Sequence, residues 1–170
     1  MSVMADLSPT TVPIVSIISM AMPTPWNEVF KLDSGILFEI KAYGVTAKDY
    51  DVLLRLLIQR YPAVYSEDGE PRDLPDYTTI RQRNLVTSNL ELNIMGVLVR
   101  CWFWEDNEID FDLLPDDVDC EAKAEGIFVL MRMIAETLRK RVFLTAENMG
   151  STQQGAEEYA ICTFDPPAQG

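Results

Sequence analysis

The 170-residue sequence predicts an α+β fold, an antiparallel sheet with two helices packed on one face. Three observations predict it. Apolar residues recur at three-four spacing around Leu53 and around Met131, as in helices with one buried stripe. They alternate with period two at Ile36–Tyr43 and Ile109–Leu113, as in half-buried strands. From Ile36 to Ala146 the order is strand-helix-strand-strand-helix-strand, a split β-α-β pattern. Length and a 48% hydrophobic content suit one domain over residues 1–170, with 1–11 a flexible N-terminus and 165–170 a tail.

The elements follow in order. Ile14–Met20 is expected to form an edge strand, which the prolines of Met22-Pro-Thr-Pro-Trp26 end because they cannot continue a ladder. Trp26 packs on the core or faces a partner, and core packing is favoured. In the strand Ile36–Tyr43, Ile36, Phe38 and Ile40 share one face, and Glu39 and Lys41 the other. Thr46-Ala-Lys-Asp49 is a capping box, with Val45 and Tyr50 placed as a hydrophobic staple. The helix it opens buries Tyr50, Leu53, Leu54, Leu57, Ile58 and Tyr61, and Pro62 ends it. Val64–Asn84 reads as a long connection rich in turn residues. Its Arg72, Arg81 and Arg83 are available to pair with the acidic stretch Glu105–Glu121.

Leu90–Trp104 reads as one central strand, wet on one face at Glu91 and Asn93, apolar on both faces further on, with a bulge at Gly96. Glu105-Asp-Asn-Glu108 turns the chain back. The return strand points Ile109, Phe111 and Leu113 inward and Glu108, Asp110 and Asp112 outward to water. Asp116, Asp117 and Asp119 start a helix from about Val118 to Lys140, with Ala124, Ile127, Phe128, Met131, Ile134 and Leu138 as its buried stripe. Val142–Ala146 is a strand, the run from Gly150 a polar loop, and Tyr159–Phe164 a last strand. The topology expected is ferredoxin-like, with extra strands at the sheet edges.

Charge narrows the function. Against 14 Lys and Arg stand 27 Asp and Glu, a net −13, and nine of these acids fall between Glu105 and Glu121. Phosphate backbones repel such a surface, whereas a basic protein is drawn to it. The sequence contains no histidine, so imidazole triads and His-ligated metals are excluded. Cys101, Cys120 and Cys162 are scattered, as expected of a reducing cytoplasm. The apolar run Val12–Met22 has no basic residue before it and is too short to span a bilayer, so neither export nor a membrane location is expected.

The only carboxylate constellation is Glu108, Asp110 and Asp112 with Asp116 and Asp117. Alternate strand residues stand about 7 Å apart, too far to share one ion without a bend, and the central glycine of a calcium loop is missing. No metal and no cofactor is expected. A glycosidase-like pair needs no histidine, so a small carboxylate-dependent hydrolase is an alternative. An assembly protein of phage or bacterial type, pairing its free sheet edge with copies of itself, is another. Trp102-Phe-Trp104 suits core packing, and an outward tryptophan would suit a partner. The favoured reading is a non-catalytic binding module whose partner-binding residues are Trp104, Glu105, Asp106, Glu108, Asp110 and Asp112. Its partner is a basic protein, with no nucleic acid or membrane; a homodimer is left open.

Cys101–Asn148 combines an aromatic strand, the acidic return strand Ile109-Asp-Phe-Asp-Leu113, a Pro-Asp helix start and Val142-Phe-Leu-Thr-Ala-Glu-Asn148. In this it resembles the small acidic immunity proteins of bacterial polymorphic-toxin systems. The resemblance implies a cytoplasmic inhibitor that neutralises a toxin by binding it, and carries no residue roles with it.

Overall fold

The computed structural model describes residues 24–31, 35–85 and 87–168; the expected strand Ile14–Met20 and the terminus 1–11 lie outside them. In chain order the elements are α1 (Trp26–Val29), β1 (Phe38–Tyr43), α2 (Ala47–Arg60), β2 (Ala63–Glu67), β3 (Glu70–Arg72), α3 (Tyr77–Arg83), β4 (Asn89–Ile94), β5 (Val97–Trp102), β6 (Glu108–Leu113), a 3-10 turn (Pro115–Asp117), α4 (Glu121–Leu138), β7 (Val142–Ala146), α5 (Gln153–Tyr159) and β8 (Cys162–Phe164). The fold is α+β. One antiparallel sheet runs β3-β2-β4-β5-β6-β1-β7-β8. Its centre, β5-β6-β1-β7 with α2 and α4 as connections, has the split β-α-β order expected from the sequence.

Alternation on each strand sorts the sheet into two faces. Phe38, Ile40, Leu90, Leu92, Val99, Phe111 and Leu144 point to the helical side, where they are fully buried with Leu53, Leu54 and Leu57 of α2 and Ile127, Met131 and Ile134 of α4. Trp26 packs against this core, as favoured from the sequence. The capping box at Thr46 forms as expected: the Thr46 hydroxyl accepts from the Asp49 amide (3.2 Å), and the Asp49 carboxylate from the Thr46 amide (2.9 Å). The staple residues Val45 and Tyr50 are both buried. Ile58 and Ile36, expected inside, are exposed.

Four segments differ from the sequence reading, each for a local reason. Leu90–Trp104 is a hairpin, not one strand with a bulge. Met95 and Gly96 both have positive φ (55° and 90°), and the Asn93 side chain accepts the Gly96 amide at 2.9 Å. Ile94 therefore pairs with Val97 across a two-residue turn of the kind that matches strand twist. Val64–Asn84 is no loop: Asp68-Gly69 makes a second such turn between β2 and β3, and Asp76 caps α3 by accepting the Thr79 amide at 2.7 Å. The polar run after Gly150 becomes α5 because Thr152 accepts the Gly155 amide at 3.0 Å. α4 starts at Glu121 with Cys120 as its N-cap, and Asp119 bonds Lys123 instead of capping. Its expected apolar stripe is buried throughout.

Candidate protein-binding site

The second face of the sheet is where the charge collects. β1 and β6 pair with Lys41 opposite Asp110, Glu39 opposite Asp112 and Tyr43 opposite Glu108. Lys41, 5% exposed, places its Nζ 3.3 Å from both Glu108 Oε1 and Asp110 Oδ2 and 3.8 Å from Glu39 Oε2. Further along, Arg100 pairs with Glu91 at 2.8 Å, and the Trp102 indole N–H donates to Asp112 at 2.6 Å. Glu108, Asp110 and Asp112 do point away from the core, but not into open water as expected. Asp110 is buried and the other two are half-buried: the segment after β7 approaches Lys41 beside Glu108 and Asp110, and Asp112 lies against Trp102. Gly150 permits that approach: a Cβ there would lie 2.9 Å from Thr145 Oγ1 and 3.2 Å from Lys41 Cδ. The Tyr43 hydroxyl donates to the Gly150 carbonyl and ties the cover down.

Burial dominates the electrostatics. It raises the carboxyl pKa of Glu39, Glu108, Asp110 and Asp112 above the ordinary range, with Lys41 opposing it at the first three and the Trp102 hydrogen bond and Arg100 at Asp112. Burial is also the largest single influence on Lys41 and disfavours its charge. The combined pull of Asp110, Glu39 and Glu108 outweighs it and raises the Lys41 pKa. One ammonium serves three carboxylates, so it is fully compensated and they are not.

The turn from β5 to β6 carries the rest of the expected site and is clamped from behind. Tyr50 of α2 and Tyr77 of α3 stack face to face, with centroids 3.8 Å apart and planes 4° apart. The Tyr50 hydroxyl donates to the Glu108 carbonyl, and that of Tyr77 to the Glu105 carbonyl at 3.1 Å. Arg81 reaches the Asp106 carboxylate through Nε at 2.6 Å and the Trp104 carbonyl through Nη1 at 3.2 Å. The Val45 amide donates to the Asn107 carbonyl at 3.0 Å. The expected pairing of loop arginines with the acidic stretch forms at Arg81, which binds Asp106, whereas Arg83 binds Glu67 within its own segment. Held this way, the turn presents Trp104, Glu105 and Asp106 to solvent, Trp104 at 55% exposure.

Trp104 stands between two depressions. On one side is a groove of about 740 Å³ running between the turn and Asn148–Gln153, whose lining holds Glu39, Glu105, Glu108 and Asp110 against the single ammonium of Lys41. On the other is a pocket of about 240 Å³ lined by Ile80, Leu85 and Phe103 together with Arg81 and Asn84. The sequence reading named six residues for this face and missed Glu39, Lys41, Arg81 and the two tyrosines. The alternation Glu39–Lys41 was the signal; combined with a split β-α-β order, which sets the first strand beside the third, it would have placed Lys41 among the acids.

Among the described residues, no group of three or more His, Cys, Asp or Glu is arranged to hold a metal ion. Nor is any described helix long and apolar enough to cross a membrane. No family model matches the chain, and neither a curated protein nor a solved structure does.

Proposed function

We propose that this chain is a stoichiometric protein-binding module, an inhibitor of the immunity type that neutralises a basic toxin or enzyme by direct contact. The observation that carries the reading is Trp104, a large exposed aromatic on a clamped turn, set between an acidic groove and an apolar pocket on a protein of net charge −13. Exposed tryptophan on a rigid support is what an interface hot spot requires, and the surrounding carboxylates supply attraction and orientation. Two features weigh against the alternatives. The buried carboxylates share the Lys41 ammonium, so they do not stand as the separate acid and nucleophile or base that a hydrolytic carboxylate pair requires. Among the described residues both sheet edges are strands of three residues, and β3 contains Pro71, which donates no ladder hydrogen bond; such edges are poor templates for self-pairing.

Coexpression tests the reading. Each protein encoded beside this gene is produced in a sensitive host with and without the chain. The expected outcome is one neighbour that is toxic alone, tolerated with the chain and purified with it as an equimolar complex, with protection lost in Trp104→Ala. Protection without a complex, or the absence of any toxic neighbour, contradicts it.

A further inference from the structure

We propose that the groove beside Trp104 receives an arginine side chain of the partner, its guanidinium against the indole and the carboxylates of Glu105 and Glu108, while an adjacent apolar side chain of the partner enters the pocket at Ile80, Leu85 and Phe103. This rests on the reading above of a basic protein partner and names what that partner must present.

Charge in the groove is unevenly compensated. Four carboxylates line the groove against one ammonium, and the three that touch Lys41 remain harder to ionise than free carboxylates. A second cation is therefore favoured there. It is not a metal ion, because hard cations need several oxygens drawn to one point, and Lys41 already holds that point. The remaining acceptors are spread along the turn and the start of β6, at Glu105 and Glu108, with Trp104 between them and the apolar pocket. A planar guanidinium has donors on a broad fork and a flat face that stacks on an aromatic ring; a compact ammonium offers neither. The pocket on the far side of Trp104 contributes apolar walls at Ile80, Leu85 and Phe103. The two depressions share Trp104, so two neighbouring side chains of one partner segment can straddle it.

The test uses the ¹⁵N-labelled full chain and three peptides: tetra-arginine, tetra-lysine and tetra-citrulline, the last keeping the arginine shape without its charge. The indole N–H signals of Trp104 and Trp102 are followed, with Trp26, packed on the helical side, as internal control. Tetra-arginine should shift Trp104 saturably and leave Trp26 in place, and tetra-citrulline should shift neither. Binding should weaken by about tenfold for tetra-lysine and also for tetra-arginine with Trp104→Ala, read from the backbone amide of Glu108. Equal affinity for tetra-lysine and tetra-arginine, shifts that include Trp26, or an unchanged affinity in Trp104→Ala would overturn the proposal. Failure of tetra-arginine beside an intact, Trp104-dependent toxin complex removes the arginine contact and leaves the inhibitor reading standing. Saturable tetra-arginine binding with no neighbour neutralised upholds the groove and removes the inhibitor reading.

Discussion

Lys41 decides what the second face of the sheet tolerates. Removing it leaves Glu39, Glu108 and Asp110 without their shared cation in a mostly buried place. Breaking a buried ion pair from one side costs about 3–5 kcal/mol, so Lys41→Met should lose that much in urea denaturation at neutral pH. The loss should shrink in mild acid as the stranded carboxylates take up protons. In the native protein the sign is set by the raised pKa values. Glu39, Glu108, Asp110 and Asp112 hold protons more tightly folded than unfolded, so their contribution to stability is full below the ordinary carboxylate range and is lost as pH rises through the raised values. Lys41, also raised, keeps its contribution until pH climbs past the ordinary lysine value. Acidifying from neutrality towards the ordinary carboxylate range should therefore raise the part of Tm that these four groups govern, while Glu67, Asp76 and Asp119, whose pKa values are lowered, act in the opposite sense. Asp110→Asn should flatten that rise. An identical pH response in the native chain and in Asp110→Asn would mean that the carboxylates are not desolvated as described.

At the scale of elements, the two Gly-containing turns and α4 carry the fold. Gly96 adopts φ 90°, and the nearest atom to an added Cβ is Lys123 Cε at 3.9 Å, so space is not the constraint. Gly96→Ala should then cost only the left-handed backbone penalty, about 1–2 kcal/mol. Phe128, 3% exposed, packs its ring against Phe30 and Phe164 at 5.7 and 6.0 Å. Phe128→Ala should cost about 3–5 kcal/mol, and a loss below about 1 kcal/mol in chemical denaturation would mean that this face is not buried. These elements also show what a sequence can carry. The long periodic stripes of α2 and α4 and the alternation of β1 and β6 were legible, because burial on one side imposes a period on many residues at once. The hairpin at Met95-Gly96 was not, because methionine is an unusual residue at positive φ and the flanking apolar run reads as one continuous strand. α3 and α5, seven residues each, were missed because so few turns give a stripe little length to declare itself. The outward direction of Glu108, Asp110 and Asp112 was legible, and their burial was not: at Glu108 and Asp110 it goes with the close approach of a later segment that Gly150 allows beside Lys41, and at Asp112 with Trp102.

For the whole molecule, charge and shape divide the work of recognition. On the binding reading proposed above, the net charge of −13 would gather a basic partner from a distance, within a Debye length of about 8 Å at physiological ionic strength. The clamped turn then offers a fixed aromatic anchor. Exposed Glu105 and Asp106 belong to the first process and Trp104 to the second, so variants should separate the two rates. Trp104→Ala should speed dissociation and leave association nearly unchanged. The most direct measurement is the association rate with the partner identified by coexpression, followed as salt is raised, for the native chain and for Glu105→Gln, which leaves the Arg81–Asp106 clamp in place. The native rate should fall steeply with salt, and Glu105→Gln should associate more slowly with a flatter salt dependence, its fold intact. Equal rates and equal salt slopes for the two proteins would contradict this and reduce the acidic turn to a solubilising surface.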